Sequence, residues 1–412
     1  MNLAILSQYY PPEVGAPQVR LSELASHFVR RGHNVTVLTA MPNYPTGKIH
    51  AGYGGVFRRD QKDGVNVIRT FAFPTQSANF IPRLTNYFSF VLSSSAVGTA
   101  VLQQPDYLIV ESPPLFLGLA GFWLSRWKRT RLIFNVSDLW PDGAVRLGKI
   151  RSDSWSFRVS AALEAFCYRH AWLVTGQSKS IIADINQRFP ECPTFHLSNG
   201  VDTQRFSATS LSGEQRTMFA SNGACVGLYT GLHGLAQGLD QILNVAEALC
   251  TENEFRFVLV GDGPEKRNLM ETAKRRHLTN VEFLDSRPAT EIPSLLAAAD
   301  LSLVMLKTHL PGAVPSKLYE AMASGKPIVL SAEGEAAEVV REHEAGLIVK
   351  PGDLDGLIKA LRTLNALPAL RQRLGENGRR AAEECFNRVK IAERFIDYLE
   401  TRLGSPHHPA RV

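Results

Sequence analysis

The chain has 412 residues, a length that exceeds one ordinary hydrophobic core and therefore predicts two domains. Hydrophobic residues make up 44% and charged residues 20%, which is typical of a soluble globular protein, and no apolar run is long enough to predict a transmembrane helix. A formal net charge of +6 and a pI near 9.1 favour an anionic partner such as a nucleotide phosphate, a lipid phosphate or an acidic membrane surface. The sequence contains no recognisable nucleic-acid-binding motif.

Cysteine usage and the N-terminal sequence both indicate a cytosolic protein. MNLAILSQYYPPE has no basic segment ahead of its short apolar run, so it predicts a first β-strand rather than a signal peptide. The cysteines are scattered and form no C-x-x-C pair, which favours reduced thiols and argues against a zinc site: Cys167, Cys192, Cys225, Cys250 and Cys385.

The first 40 residues predict a strand, a helix and a second strand. The strand NLAILSQ is followed by a proline-rich loop, an amphipathic helix from Arg20 to Arg31 and the strand NVTVLTA. Open α/β sheets bind ligands at the carboxyl ends of their strands, where this loop lies. Glu13, Gly15 and Ala16 are therefore candidates to present their backbone to a ligand, although the loop lacks the G-x-G-x-x-G spacing of a dinucleotide site. The alternative is a proline-rich connector.

Aromatic and basic residues are interleaved in two further predicted helices, at residues 80–102 and 114–129. Aromatic side chains beside cationic ones suit a lipid headgroup interface; the alternative is that they pack in the core or against each other. The residues concerned are Ile81, Arg83, Tyr87 and Phe88 in the first helix, and Phe122, Trp123, Arg126, Trp127, Lys128 and Arg129 in the second.

A polar segment of small residues at 207–222 predicts the boundary between the domains. Strands and helices alternate on both sides of it, so each half predicts a doubly wound α/β domain. The first domain is expected to span residues 1–206 and the second residues 207–390, with a terminal helix at about 391–405 that packs back on the first.

The two predicted domains are expected to face a central cleft between the carboxyl-end edges of their sheets. The glycine-bearing loops at Gly15, at residues 231–238 and at residues 261–263 would line this cleft. Beyond the last helix, the sequence HHPARV predicts a disordered tail.

The segment GAVPSKLYEAMASGKP, residues 312–327, predicts a loop that enters a short helix. Pro315 and Ser316 form the entry, and the serine side chain is expected to cap the first turn. Lys317 lies in that turn, where a helix N-terminus binds an anion, and Glu320 shares its face. Such a helix start suits a phosphate and a sugar hydroxyl; the alternative is an ordinary capped connection with a surface ion pair.

Seven short motifs follow one another along the chain: YYPPEVGAPQVRLSELA at 9–25, SDLWPD at 137–142, GQSKS at 176–180, SNGVDTQRF at 198–206, YTGLHGLAQGLD at 229–240, VGDGPEK at 260–266 and VPSKLYEAMASGKP at 314–327. In this order they resemble those of the family 4 retaining glycosyltransferases of the GT-B fold, over nearly the whole chain. Within that family the chain is similar to bacterial enzymes of O-antigen, capsule or exopolysaccharide assembly. Those enzymes add a sugar, commonly an N-acetylated or deoxy amino sugar, to a polyprenyl-diphosphate carrier or a glycan on it.

The resemblance implies that the C-terminal domain binds a nucleotide-sugar, which we expect to be a UDP-sugar, without a metal or other cofactor. Glu320 matches the family glutamate that binds the ribose hydroxyls, and Lys317 is expected to stabilise the departing diphosphate. The other donor-binding residues that the resemblance implies are Gly15, Ala16, Gly231, His233, Gln237, Gly261, Asp262, Gly263, Arg287, Val314, Ser316 and Leu318.

On the acceptor side, Asp138 and Asp142 are candidates for positioning the acceptor hydroxyl or sensing the sugar, with helix capping as the alternative. Many family members carry a histidine just before the first aspartate, where this chain has Ser137. We expect a cytoplasmic hexosyltransferase, peripheral on the inner face of the cell membrane, with no nucleic-acid partner. Acceptor or membrane contacts are expected from Glu13, Arg20, Phe88, Trp123, Arg126 and Trp127.

Three further positions depart from the family pattern. Gly312 stands where the family has a glutamate that meets the transferred sugar. The phosphate-binding arginine and lysine of the family fall at about Leu232 and Gln237, so both charges are missing. His233 and Lys317 are expected to replace part of that charge.

Two other functions compete with the transferase. A UDP-sugar 2-epimerase-like isomerase shares the two-domain architecture and would turn over the donor without an acceptor. A non-catalytic nucleotide- or glycan-binding subunit would bind nucleotide without consuming sugar. Asp353 and Asp355 resemble the D-x-D metal motif of another glycosyltransferase architecture, but they open a predicted helix and are better explained as N-terminal capping.

Overall fold

The computed structural model describes residues 1–13, 15–44, 46–77, 79–207, 219 and 223–403. The chain divides into two compact units. The N-terminal unit comprises Met1–Ser198 and the described residues from Val389 on, and the C-terminal unit comprises Asn199–Arg388. The predicted disordered tail and most of the predicted polar linker lie outside the described residues.

The N-terminal unit is built on a mostly parallel β-sheet. Its strands are β1 (Asn2–Leu6), β2 (Asn34–Ala40), β3 (Phe57–Lys62), β4 (Val65–Thr70), β5 (Tyr107–Ser112), β6 (Arg131–Val136), β7 (Leu173–Gly176) and β8 (Thr194–His196). Their order is β3-β4-β2-β1-β5-β6-β7-β8, with β3 antiparallel to β4. The order reverses between β1 and β5, so the carboxyl ends of these strands form the switch point where such sheets bind ligands.

The helices of the N-terminal unit follow the apolar periodicity of the sequence. In the first helix, Leu21, Leu24, Ala25 and Phe28 are buried on one face. Among the described residues no helix is long and apolar enough to cross a membrane. The helices are α1 (Ala16–Arg30), α2 (Phe80–Val101), α3 (Leu117–Lys128), α4 (Asp142–Arg146), α5 (Trp155–His170) and α6 (Lys179–Arg188).

The C-terminal unit contains a parallel sheet with the strand order of dinucleotide-binding doubly wound domains. Its strands are β9 (Cys225–Thr230), β10 (Phe255–Val260), β11 (Val281–Leu284), β12 (Leu301–Met305), β13 (Ile328–Ser331) and β14 (Gly346–Val349). Their order is β11-β10-β9-β12-β13-β14, which places the switch point between β9 and β12.

Helices cover this sheet, and one further helix closes the described chain. They are α7 (Asp240–Ala248), α8 (Lys266–Arg275), α9 (Ile292–Ala298), α10 (Ser316–Ala323), α11 (Glu335–Glu342), α12 (Leu354–Ala366), α13 (Pro368–Glu384) and α14 (Arg388–Glu400). Helix α14 packs on the N-terminal sheet, where the Phe395 ring contacts Phe28 and Phe195 at centroid distances of 6.3 and 5.2 Å. The Tyr107 hydroxyl donates to the Leu399 carbonyl oxygen at 2.8 Å.

The boundary between the units differs from the predicted one, because residues 199–206 belong to the C-terminal unit. Val201 forms a parallel β-bridge with Asn387, and the Arg379 guanidinium donates to the Thr203 carbonyl oxygen at 2.9 Å. These contacts tie the segment to residues that are 186 and 176 positions away, and a local change in composition does not reveal them.

Candidate functional site

A lysine ammonium stands at the carboxyl end of β9, beside the switch point of the C-terminal sheet. Lys317 Nζ donates a hydrogen bond of 2.6 Å to the Tyr229 hydroxyl and lies 4.0 Å from the centroid of that ring. The hydroxyl in turn donates to the Leu232 carbonyl oxygen at 2.7 Å. A Cβ on Gly231 would come within 2.9 Å of Lys317 Nζ, so the glycine leaves the room that the ammonium uses.

The electrostatics of Lys317 suit the binding of an anion. Loss of hydration lowers the pKa of Lys317 to about 8, and the nearby Glu320 carboxylate opposes this shift. The hydrogen-bond acceptor of the ammonium is the neutral Tyr229 hydroxyl, which does not neutralise it. A diphosphate placed here would restore the favourable interaction that the lysine loses with water.

Two glycine loops fit closely together at the same edge of the sheet. Gly231 follows β9, and Gly261 and Gly263 follow β10, with φ angles of 131°, 150° and 154°. A Cβ on Gly261 would overlap the Gly231 carbonyl oxygen, and a Cβ on Gly263 would overlap the His233 backbone. The His233 N–H donates to the Asp262 carbonyl oxygen at 2.8 Å. The glycines are therefore required for the close approach of the two loops.

His233 is buried and neutral, so the expectation that it replaces a missing charge is wrong. The pKa of His233 is lowered to about 4, mainly by burial and also by the charges of Lys266 and Lys317, whereas Asp262 opposes the shift. Neither ring nitrogen has a hydrogen-bond partner among the described residues. An imidazolium at this position would lose hydration and face two ammonium groups, which is why the ring stays uncharged.

Helix α10 begins one residue earlier than a serine cap requires. Its N-cap is Pro315, with φ −60° and ψ 134°, and no side chain caps the helix. The prediction that Ser316 caps the first turn is therefore wrong, because Ser316 is itself the first helical residue. First-turn N–H groups have no intrahelical acceptor, so an uncapped helix start favours an anionic ligand.

The other predicted donor residues differ in how accessible their side chains are. Val314 and Leu318 are buried in the hydrophobic core, so their side chains are not donor contacts. The buried Gln237 Oε1 has no hydrogen-bond partner among the described residues. Asp262 is exposed and accepts from the Gly263 N–H at 2.7 Å. Glu320 is half-buried, and Arg287 is 41% exposed with its guanidinium 3.9 Å from the Glu291 carboxylate.

In the N-terminal unit, the loop after β1 is held by its own glutamate. Gly15 is the N-cap of α1, and Ala16 is the first helical residue. The buried Glu13 carboxylate accepts from the N–H groups of Asn43 and Tyr44, both at 2.8 Å. Burial raises the pKa of Glu13, and these hydrogen bonds oppose the shift. Glu13 therefore joins two loops, so the expected membrane contact is wrong, whereas an acceptor contact stays a prediction.

Arg20 is also buried, so the expected membrane contact is wrong for this residue too, whereas an acceptor contact stays a prediction. Its guanidinium donates to Glu111 Oε1 at 2.5 Å and to the Ser137 hydroxyl at 3.1 Å. The next residue, Asp138, is exposed at the carboxyl end of β6. Asp142 is the first residue of α4, whose N-cap is Pro141.

The predicted aromatic and basic surface residues are exposed on α2 and α3. The Trp123 and Trp127 rings stack at 5.9 Å and are 51% and 61% exposed. Arg126 lies on the same face of α3 and is exposed. Phe88 is 39% exposed and packs against Phe116 at 4.8 Å. These side chains are therefore not buried in the core, but Trp123 packs against Trp127, as the alternative of mutual packing predicts.

Sequence reasoning missed Tyr229 and Glu111, although both leave a signal. Each lies near the end of an otherwise apolar strand, in CVGLYT and YLIVES. A buried tyrosine hydroxyl or carboxylate needs a partner, so a polar residue in such a strand indicates a specific contact. The D-x-D segment behaves as predicted, because Asp353 caps α12 by accepting from the Gly356 N–H at 2.9 Å.

Two family models match the chain. A glycosyl transferase 4-like domain matches residues 15–194, and the glycosyl transferases group 1 match residues 226–381. The chain belongs to the group 1 glycosyltransferases. The predicted membership of family 4 is confirmed, and this glycosyltransferase is an enzyme, as predicted.

Relatives and solved structures match this glycosyltransferase over nearly its full length. The putative colanic acid biosynthesis glycosyl transferase WcaI of Escherichia coli (strain K12) is 24% identical over 96% of this chain and 99% of that protein. Sucrose-phosphate synthase from Thermosynechococcus elongatus has a TM-score of 0.79 at 18% identity, covering 98% of this chain and 100% of that one. Anabaena HepE, solved in complex with UDP-glucose, has a TM-score of 0.73 at 19% identity, covering 97% and 100%. The predicted GT-B fold with two Rossmann-like domains is confirmed.

Proposed function

We propose that this glycosyltransferase moves a sugar from a UDP-sugar to a polyprenyl-diphosphate-linked glycan during assembly of a surface polysaccharide. The sugar is an N-acetylated or deoxy amino sugar, and transfer retains the anomeric configuration without a metal. The observation that carries the proposal is the Lys317 ammonium, which stands beside Gly231 at the carboxyl end of β9.

The donor half of the proposal rests on the chemistry of this edge. A diphosphate needs positive charge and N–H donors, which Lys317 and the uncapped start of α10 provide. The Gly231 loop lacks the side chain that would obstruct the ammonium. Uridine is supported by the likeness to HepE, which was solved with UDP-glucose. Polysaccharide assembly is supported by the likeness to WcaI, named for colanic acid biosynthesis.

In the proposed reaction, the bond between the anomeric carbon and the diphosphate breaks as the acceptor oxygen attacks from the same face. The acceptor proton passes to an oxygen of the departing phosphate. Lys317 stabilises the negative charge that develops on the diphosphate. Stabilisation of developing charge by a preorganised group is usually the largest single contribution to catalysis. Asp138 and Asp142 are the candidates to position the acceptor hydroxyl.

Attachment to the inner face of the cell membrane is proposed through the exposed aromatic and basic surface of α2 and α3. Stacked indoles beside an arginine suit the headgroup layer of an anionic membrane. The double variant Trp123→Ser, Trp127→Ser should lose most of its sedimentation with vesicles that contain phosphatidylglycerol. Trp155→Ser is the matched control, because Trp155 is 78% exposed on α5, outside this surface. Unchanged sedimentation of the double variant would contradict attachment through this face.

Transfer is tested with purified protein, a panel of UDP-sugars and a polyprenyl-diphosphate-linked acceptor. We expect acceptor-dependent release of UDP, a product with the donor's anomeric configuration by NMR, and unchanged activity in a chelator. Conversion of the donor to its 2-epimer without acceptor would replace the proposal with an isomerase. UDP binding without turnover of any donor would replace it with a binding subunit.

A further inference from the structure

A row of buried polar side chains crosses three neighbouring strands of the N-terminal sheet. Glu111 on β5 is the register partner of Asn135 on β6, which is the register partner of Thr175 on β7. Asn135 Nδ2 donates to Glu111 Oε2, and the Thr175 hydroxyl donates to Asn135 Oδ1, both at 2.6 Å. The three side chains are at most 2% exposed.

Three further residues join this row at the carboxyl ends of the strands. Arg20 on α1 and the Ser137 hydroxyl both donate to Glu111 Oε1, at 2.5 Å each. The Ser137 hydroxyl also accepts from Arg20 at 3.1 Å and from Gln177 Nε2. A serine hydroxyl has one proton and two lone pairs, so these three bonds use its full capacity.

This arrangement has consequences for the substrate. Because its hydroxyl is fully engaged inside the protein, Ser137 has no hydrogen-bonding capacity left for a sugar. The adjacent Asp138 is the opposite case: its side chain is exposed, and no hydrogen bond or ion pair to it is found among the described residues. The network thus fixes Ser137, the residue immediately before the accessible Asp138 carboxyl group.

Two charged members of the network also act on Asp138. Although its side chain is accessible, surrounding protein weakens its hydration and raises its pKa. The Glu111 carboxylate raises that pKa further, and the Arg20 guanidinium lowers it. Buried ion pairs are often no more stabilising than apolar residues of the same size, so a role beyond stability is a reasonable expectation for this pair.

We propose that Arg20, Glu111 and Ser137 are positioning residues that hold Asp138 at the carboxyl end of β6, where its carboxyl accepts a hydrogen bond from a substrate hydroxyl. The inference rests on the proposed function for the identity of that substrate. The fixed loop and the accessible carboxyl are independent of it. Asp138 takes no net proton in this role, because the acceptor proton leaves with the donor phosphate.

The test is a titration of the Asp138 carboxyl by carbon-13 NMR, with the signal assigned from its loss in Asp138→Asn. Glu111→Gln removes a negative neighbour and should lower the Asp138 pKa by about half to one pH unit. Arg20→Gln removes a positive neighbour and should raise it by a similar amount, whereas Arg20→Lys should stay near the wild-type value. Shifts of the same sign, or no shift, would overturn the proposal.

Two controls separate this role from a merely structural one. The pair Arg256 and Glu282 forms an ion pair of 2.7 Å in the C-terminal unit, so Arg256→Gln and Glu282→Gln should leave the Asp138 titration unchanged. If Glu111→Gln does not fold, Ser137→Ala keeps both buried charges. It should raise the acceptor KM several-fold while the donor KM stays constant, and an unchanged acceptor KM would contradict the proposal.

The titration uses the protein without donor or acceptor. Its outcome is therefore independent of whether UDP binds at Lys317, and failure of one proposal is distinguishable from failure of the other.

Discussion

The switch-point edges of the two sheets differ in how their polar groups are satisfied. In the N-terminal unit, the charge on Arg20 is paired with Glu111, and the hydroxyl between them is fully bonded. In the C-terminal unit, the Lys317 ammonium is bonded to a neutral hydroxyl, and the buried His233 ring nitrogens have no partner among the described residues. Two domains of the same architecture thus present one edge whose cation is paired with a carboxylate and one edge whose cation is bonded to a neutral hydroxyl.

This difference indicates that two units of the same fold have different roles. A fully bonded ion pair fixes the position of a loop, whereas a cation with a neutral partner provides binding energy to an anion. The strand order alone predicts a ligand at both edges. The pairing of side chains is what favours the C-terminal edge for the proposed donor anion.

The largest expected effect comes from removing the cation. Lys317→Ala should lower kcat by about 10²- to 10³-fold, because the charge on the departing diphosphate loses its preorganised partner. UDP release under saturating substrates measures this. Lys359→Ala, at an exposed position on α12, is the matched control and should keep wild-type turnover. Near-normal turnover of Lys317→Ala would contradict the proposal that Lys317 stabilises the departing diphosphate.

A second variant tests the close fit of the glycine loops at that edge. Gly261→Ala should lower the free energy of unfolding by about 3 kcal/mol, since the new Cβ has both an unfavourable φ and an overlap with the Gly231 carbonyl. Gly352→Ala has a positive φ but open space and should cost about 1 kcal/mol. Equal losses in urea denaturation would show that the overlap does not matter.

The pH dependence of UDP binding sharpens the comparison further. In the protein without UDP, the pKa of Lys317 is about 8. The Kd for UDP should therefore be constant below that pH and rise by up to about tenfold per pH unit above it. Lys317→Arg should abolish the rise because a guanidinium stays charged. Calorimetric titrations between pH 7 and 9.5 measure both; a pH-independent wild-type Kd would be inconsistent with a role for the ammonium.

The same pKa predicts a change in stability without nucleotide. The native pKa of Lys317 is depressed from 10.5, so between about pH 8 and 10.5 the unfolded chain binds more protons than the native one. The lysine contribution to the free energy of unfolding should therefore increase with pH over this interval. Comparing wild type with Lys317→Met by urea denaturation at several pH values isolates it, and a decrease with pH would contradict the depressed pKa.

The smallest expected effect distinguishes two helix starts in the C-terminal unit. Asp353→Ala removes a side-chain cap and should cost about 1 kcal/mol. Ser316→Ala removes no cap and should stay within about 0.5 kcal/mol of wild type. Thermal unfolding of both variants measures these losses. A larger loss of stability for Ser316→Ala would show that Ser316 does cap the helix.

Local patterns predicted the fold well, and contacts between distant residues were the part they missed. The position of Lys317 follows from the motif that contains it, but its partner Tyr229 lies 88 residues earlier in the chain. Arg20 and Glu111 are 91 residues apart, so a helix position that reads as surface is in fact buried. The neutrality of His233 depends on burial among other elements, which no local spacing reports.

Nucleotide stabilisation of the folded protein is the most direct test of the central claim that Lys317 binds a nucleoside diphosphate. At one hundred times its Kd, UDP should add about 2.7 kcal/mol to the free energy of unfolding. We expect this gain for wild type and Lys359→Ala, and its loss in Lys317→Ala at the same UDP concentration. Equal stabilisation of Lys317→Ala, or no response of wild type to any nucleoside diphosphate, would contradict it.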